Sequence, residues 1–345
     1  MLPFLIFLVT RFGGNAVIYG VMGATYSAFQ LIGAPILGKW SDAYGRRKIL
    51  LLSQIGTLTS WLIFIIAMLL PVYSMLEINS KTFGAFTLTL PLIVLFFARA
   101  LDGITGGNVS VANAYLADIS DEDNRSANFG KMAVAANLGF IFGPALAGLL
   151  GGTSWGELVP VSAALLISVI ATAIITLLLP ESQPCVIERD PEVAINVRKV
   201  LGQEQKECYR LAAAENITFR EILRLKHVAF LLTIYFLDFL GFNLFYIAFP
   251  VHVVQELNWE LSDTGPFYAF IGLMMALVQG PILSRIAKRW ADRNLIVTGS
   301  FILACSFLFF LSPQTWTLYL GAALLAFGNG IMWPSYLSNS LASNR

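Results

Sequence analysis

Arg99 and Asp102 stand three positions apart in "LFFARALDGITGG" (95–107), within an otherwise apolar stretch. On a helix that spacing puts them on nearly one face. An arginine in hydrocarbon costs about 2.5–3.5 kcal/mol on insertion scales, so Arg99 must face a partner or water. Asp102 is then a carboxylate that can gain and lose a proton inside a membrane, as proton relays require. Arg99 keeps its charge at any accessible pH and can only bias that exchange. Asp238, in "YFLDFLGFN" (235–243), is the other carboxylate well away from the ends of an apolar stretch. The materials for other chemistries are missing. His227 and His252 are isolated, and Cys185, Cys208 and Cys305 show neither metal-ligand spacing nor an evident pairing. No Ser/His/Asp arrangement or phosphate-binding glycine loop is found, so neither an enzyme nor a bound cofactor or metal is expected. A net charge of +1 gives no reason to expect nucleic acid as a partner.

The elements that hold these charges are set by composition. Of 345 residues, 57% are hydrophobic and 12% charged, with 26 phenylalanines; soluble domains carry about 25% charged residues. Apolar stretches long enough to cross a core of about 30 Å fall near 16–38, 49–70, 88–117, 129–151, 158–179, 228–250, 265–284, 295–312 and 317–339. The expected fold is all-α and polytopic. Before these spans "MLPFLIFLV" reads as the end of a further helix, and the chain stops at Arg345 soon after another, so both ends read as cut.

Basic residues alternate between loops. Lys39, Arg46, Arg47 and Lys48 fall on one side with Arg125, Lys131, the segment 181–226 and the loop of Arg285, Lys288, Arg289 and Arg293. Arg11 and Lys81 fall on the other, beside Glu77, Glu157, Glu256, Glu260 and Asp263. The positive-inside rule makes loops 39–48, 119–128, 181–226 and 285–294 cytoplasmic in a plasma-membrane protein. Residues 181–226, with balanced charge and a candidate amphipathic helix, read as a cytoplasmic linker between a bundle at 1–180 and another at 227–345.

The most distinctive turn is "GKWSDAYGRRK" (38–48). Gly38 would let one helix end lie close to a neighbour, and Gly45 permits a tight reversal. Asp42 can cap a helix or pair with an arginine, while Arg46, Arg47 and Lys48 anchor the loop. Gly38, Asp42 and Gly45 at these offsets, followed by the basic run, resemble the signature loop between helices two and three of the major facilitator superfamily. The resemblance implies two pseudo-symmetric bundles. It also implies a charge cluster of Asp42, Arg46 and Asp118, with Arg47 in the signature, that latches the halves; the aspartate's other partner in the family lies at the start of helix eleven. On that template residues 1–9 end helix one and 317–339 are helix ten, with helices eleven and twelve absent.

Two further segments support the likeness. Gly103 and Gly107 allow close helix contact, and Arg99 with these glycines is similar to the family's helix-four motif, whose arginine is linked to proton movement. In "GKMAVAANLGFIFGPALAGLLGG" Gly139, Gly143 and Ala147 form a small-residue stripe and Pro144 can kink the helix. With Gly130 and Gly148 this resembles the family's antiporter motif, found mostly in exporters. "YSAFQLIGAPILGKWSD" and "RALDGITGG" are similar to the tetracycline/proton antiporters; their helix-two cavity glutamine corresponds to Gln30, while the place of their helix-three acid is Ser60.

The expected function is a secondary transporter, a monomer in the lipid bilayer, that expels a small amphipathic molecule in exchange for protons by alternating access. Its energy source would be the proton gradient, with no cofactor. The coupling residues would be Arg99, Asp102 and Asp238. Polar residues within spans are candidates for lining the cavity: Gln30, Asn108, Asn113, Asn137 and Asn243 join the charged ones. The alternatives are a membrane sensor or scaffold of the same fold and a proton-coupled importer. Intramembrane charges speak against the first, and the Gly139–Gly148 pattern against the second.

Overall fold

The computed structural model describes residues 2–120, 128–129, 131–132, 135–136, 138–139, 142–143, 146–147, 150, 155–182, 228–286 and 289–342. Among them six helices are long and apolar enough to cross a bilayer: Ala16–Tyr44, Arg46–Leu69, Leu90–Asp118, Leu158–Leu177, Leu232–Gln255 and Ser262–Ile282. Arg293–Phe309 is a shorter apolar helix. Six of the expected spans thus recur as these helices. The span expected at 129–151 is described only in part, and the linker beyond Ser182 lies outside the described residues. Two compact units form. One is built from described residues within Leu5–Gly130 and Glu157–Thr218, the other from those within Met1–Phe4, Lys131–Gly156 and Phe219–Arg345.

The first unit contains most of α1 (Leu2–Arg11), with α2 (Ala16–Tyr44), α3 (Arg46–Leu69), α4 (Leu90–Thr105), α5 (Asn108–Asp118) and α6 (Leu158–Leu177). Helix α4 packs on α2 and α3, and α3 also packs on α6. The crossing is made of glycines, because only a missing side chain lets helix axes approach this closely. A Cβ on Gly33 would collide with the Ile104 backbone, and one on Gly56 with the Thr105 side chain. One on Gly107 would lie 2.7 Å from the Ala34 Cα. Gly38 is different. Among the described residues nothing lies within 4 Å of where its Cβ would be, and close helix contact is made at Gly33, five residues earlier and one face round.

Helix α4 gives way to α5 through Gly106 (φ −74, ψ 10) and Gly107 (φ −75, ψ 10). The carbonyl of Gly106 accepts from Gln30 Nε2 at 2.9 Å, and that of Gly107 from Ser110 Oγ at 2.7 Å. A helix interruption in an apolar setting needs such partners for the backbone groups it leaves over.

One element has no counterpart among the expected spans. Strands β1 (Ser74–Ser80) and β2 (Gly84–Thr89) form an antiparallel hairpin, pairing Ser80 with Gly84 and Ser74 with Thr89. Lys81, Thr82 and Phe83 make the turn, Gly84 closes it at φ +71, and Ser80 Oγ accepts from the Thr82 amide at 3.2 Å. Asn15 docks the hairpin. Its Oδ1 caps α2 by accepting from the Ile18 amide, while its Nδ2 donates to the carbonyls of Phe83 (2.7 Å) and Ala85 (3.0 Å).

The second unit holds α7 (Val228–Gln255), α8 (Leu261–Leu277), a π turn (Val278–Ile282), α9 (Asp292–Phe309) and α10 (Thr315–Ala342). Its core is aromatic: ring centroids lie 4.5 Å apart for Phe245–Phe310 and 4.8 Å for Phe249–Phe267. Gly299 of α9 and Gly328 of α10 face each other's backbones: a Cβ on the first would lie 2.8 Å from the Gly328 carbonyl oxygen, and one on the second 2.8 Å from the Leu303 nitrogen.

Candidate functional site

Three clusters of polar side chains stand among the apolar helices. In the first, Arg99 Nη1 donates to Asp102 Oδ2 at 3.2 Å and Thr57 Oγ1 donates to Asp102 Oδ1 at 3.2 Å. The Arg99 guanidinium lies 4.4 Å over the centre of the Tyr26 ring. Gln30 Nε2 donates to Tyr26 Oη at 3.3 Å, besides its bond to Gly106. The side chains of Arg99 and Asp102 are 9% and 16% exposed. Three helices supply these groups: Tyr26 and Gln30 come from α2, Thr57 from α3, and the charged pair from α4. The glycine contacts hold those helices close enough for short side chains such as Thr57 to reach across. Arg99 Nε is buried and has no hydrogen-bond partner among the described residues.

The second cluster is built on the turn at Gly45, which has φ +104, a conformation L side chains rarely adopt. Helix α3 starts with Arg46, Arg47 and Lys48, positive charge at the end where the helix dipole is already positive. Helix α5 ends on Asp118, negative charge at a negative end. Each terminus supplies what the other lacks: Arg46 Nε lies 3.0 Å from Asp118 Oδ2. Arg46 Nη1 also pairs with Asp42 and donates to Ser41 Oγ at 2.7 Å. Ser182 Oγ donates to Asp118 Oδ2 at 3.1 Å. Glu181 Oε1 accepts from the Arg47 amide at 3.2 Å, putting a carboxylate where the first turn of α3 has none. Arg47 Nε in turn donates to the Ile175 carbonyl at 3.4 Å, and its Nη2 to that of Thr176, in the last turn of α6, where a cation is favoured.

The third cluster lies in the second unit. Ser300 Oγ of α9 donates to Asp238 Oδ2 of α7 at 2.9 Å and lies 3.3 Å from the Met332 sulfur of α10.

The structure thus brings Asp42, Arg46 and Asp118 together, and separately Gln30, Arg99 and Asp102. Asn108 and Asn113 are half-buried on α5. Asn243 spends its amide on its own helix, donating to the Phe239 carbonyl at 2.8 Å. Gly103 and Gly107 lie in tight contacts, whereas a Cβ on Gly139 or Gly143 would meet nothing within 4 Å. The small-residue face therefore holds no neighbour among the described residues. Asn137, Pro144 and Gly148 lie outside the described residues. Tyr26, Thr57, Ser182, Glu181 and Ser300 are site residues that sequence reasoning misses. The only signal was Tyr26 four positions before Gln30, one helical turn. Ser60, at the expected place of a helix-three acid, is buried and donates to its own helix at the Gly56 carbonyl, leaving Thr57 as the α3 residue at Asp102.

The folds and these clusters define a membrane transporter. The chain belongs to the Major Facilitator Superfamily, whose sequence profile its residues 1–343 match. Its helices are those of a multi-pass membrane protein, and the family membership implies a small-molecule substrate. It is 29% identical over 318 residues, 92% of this chain and 69% of the relative, to the tetracycline resistance protein, class D, of Salmonella ordonez. It is 31% identical over 290 residues to the bovine (Bos taurus) major facilitator superfamily domain-containing protein 10, covering 79% of this chain and 54% of that one. The crystal structure of the human organic anion transporter MFSD10 (TETRAN) superposes with a TM-score of 0.61 over 94% of this chain and 70% of that chain, at 24% identity.

Proposed function

We propose that the protein is a proton-coupled exporter of a small amphipathic molecule, of the tetracycline type, working by alternating access. One observation carries this reading. A carboxylate and a guanidinium are held together inside the Leu90–Asp118 span, almost out of contact with solvent, and polar groups of three helices converge on them. A pair with only a packing role has no need of Thr57, Tyr26 and Gln30 around it. Asp102 takes and releases the coupling proton, Arg99 biases that exchange through their contact, and Asp238 with Ser300 is the second candidate relay. The likeness to a tetracycline resistance protein supports both substrate class and direction. The protein acts as a monomer in the plasma membrane, with loops 39–48, 119–128, 181–226 and 285–294 cytoplasmic, and the Asp42–Arg46–Asp118 cluster serves as a latch.

A second reading, carriage of an organic anion, draws on Arg99 Nε, buried without an acceptor among the described residues, and on the likeness to the human transporter.

Proton flux in proteoliposomes, measured on addition of tetracycline or of an anionic dye, tests both. Coupled flux with tetracycline should fall strongly in Asp102→Asn or Asp238→Asn. Undiminished flux in the double variant overturns the coupling assignment, and flux with the dye alone overturns the substrate class in favour of the second reading.

A further inference from the structure

The second unit carries a recess that the polar clusters above do not include. It has a volume of about 590 Å³, within the roughly 300–1,000 Å³ range of small-ligand sites. Arg285, Arg289 and Trp290 stand at its rim, and Leu295, Ile302 and Phe327 line its interior. Arg289 and Trp290 also border an adjoining recess of about 500 Å³, to which Arg293 adds a third guanidinium. No carboxylate lines either recess among the described residues. Among the described residues the only side-chain hydrogen bond of the rim arginines is a long one, from Arg285 Nη1 to the Pro281 carbonyl of its own helix at 3.4 Å. Both arginines of the first recess are exposed. Guanidinium groups thus ring an apolar hole.

The position in the chain decides what could fill it. The apolar helix of α9 begins at Arg293, so the rim lies where the hydrocarbon-crossing residues stop. Trp290, 47% exposed, suits that boundary, where amphipathic rings collect. Along α9, Val297 and Phe301 are 61% and 70% exposed, and Val297 lines the second recess. The recess thus opens beside an exposed apolar face of α9. The π turn at Val278–Ile282, which contains Pro281, immediately precedes the rim. Such turns are frequent at functional sites.

We infer that this recess binds an anionic phospholipid, its phosphate between Arg285 and Arg289 and the first part of an acyl chain against Leu295, Ile302 and Phe327. The matching chemistry is a phosphate joined to an apolar chain, as expected of basic pockets between membrane helices on the basic side. A soluble phosphate would use the rim and leave the interior unfilled. This site is independent of the proton-coupling residues and of the direction of transport.

Native mass spectrometry of the purified protein, given phosphatidylglycerol and phosphatidylcholine of identical chains, tests the assignment. Phosphatidylglycerol should be retained in preference, and its retention should fall about fivefold for each arginine removed in Arg285→Gln and Arg289→Gln. Arg289→Lys should retain it. Ile302→Trp, which fills the interior and keeps the charges, should also lower retention, with an unchanged melting temperature as the folding control. Equal retention of the two lipids, or retention unchanged in both glutamine variants, overturns the site. Displacement by inorganic phosphate alone at matched concentration overturns the lipid as its occupant.

Discussion

The Arg99 guanidinium rests 4.4 Å over the ring of Tyr26 while its Nη1 holds Asp102 at 3.2 Å. The ring and the carboxylate therefore share one cation, and Tyr26 fixes where that cation can go. A desolvated cation–π contact of this kind contributes about 2 kcal/mol.

Tyr26→Leu removes the ring and should lower turnover about tenfold at unchanged abundance, since about 1.4 kcal/mol is a factor of ten. Tyr26→Phe keeps the ring, loses only the hydroxyl that accepts from Gln30, and should retain most activity. Flux per molecule of protein in vesicles reads the difference. Equal losses in both variants would assign the role to the hydroxyl instead.

The charge cluster at the α2–α3 turn should respond in graded order. The side chains of Arg46 and Asp118 are 8% and 12% exposed, against 54% for Asp42. Removing one member of a buried pair costs about 3–5 kcal/mol, whereas an exposed partner contributes about 1 kcal/mol or less. Thermal unfolding in detergent should therefore show Arg46→Ala and Asp118→Asn clearly destabilised and Asp42→Asn nearly unchanged. Under the proposed latch, Asp42→Asn should still impair transport. Normal transport in that variant would leave the aspartate as a simple topology anchor.

Glycine substitutions should separate by contact. Gly33→Ala places a methyl group into the Ile104 backbone, and Gly38→Ala places one in open space. The first should lose most folded protein, since overpacking a tight contact costs about 1–3 kcal/mol or more. The second should be tolerated. Fluorescence-detected size exclusion of tagged variants gives the readout.

Hydropathy alone locates the six long apolar helices, because a bilayer span needs nothing beyond about twenty apolar residues. The charged members of the clusters are legible for a related reason: Arg99, Asp102 and Asp238 stand out against hydrocarbon. Their uncharged partners do not. Thr57 and Ser300 are ordinary residues in a membrane helix, and they matter only through which neighbour the packing brings opposite. Glu181 sits 134 positions from Arg47, a distance across which no local pattern operates. The hairpin at 74–89 escapes notice because Leu76, Ile78, Phe86 and Leu88 read equally well as the fringe of a span. Gly38 differs again, since a glycine at a motif position marks a backbone requirement without saying which neighbour imposes it.

The interruption at Gly106 and Gly107 divides the Leu90–Asp118 span into two stiff rods. Asp102 rides on the first and Asp118 on the second, so the buried Arg99–Asp102 pair and the terminal ion pair are joined through a single joint. The second rod has 11 residues, about 16 Å at 1.5 Å per residue, so a swing of about 10° at the joint moves its far end about 3 Å. That lever arm converts an adjustment of two backbone dihedrals into a displacement as long as the Arg46–Asp118 contact itself. The Gln30 amide on the Gly106 carbonyl acts as the brake on the joint, because turning it means giving up a 2.9 Å bond.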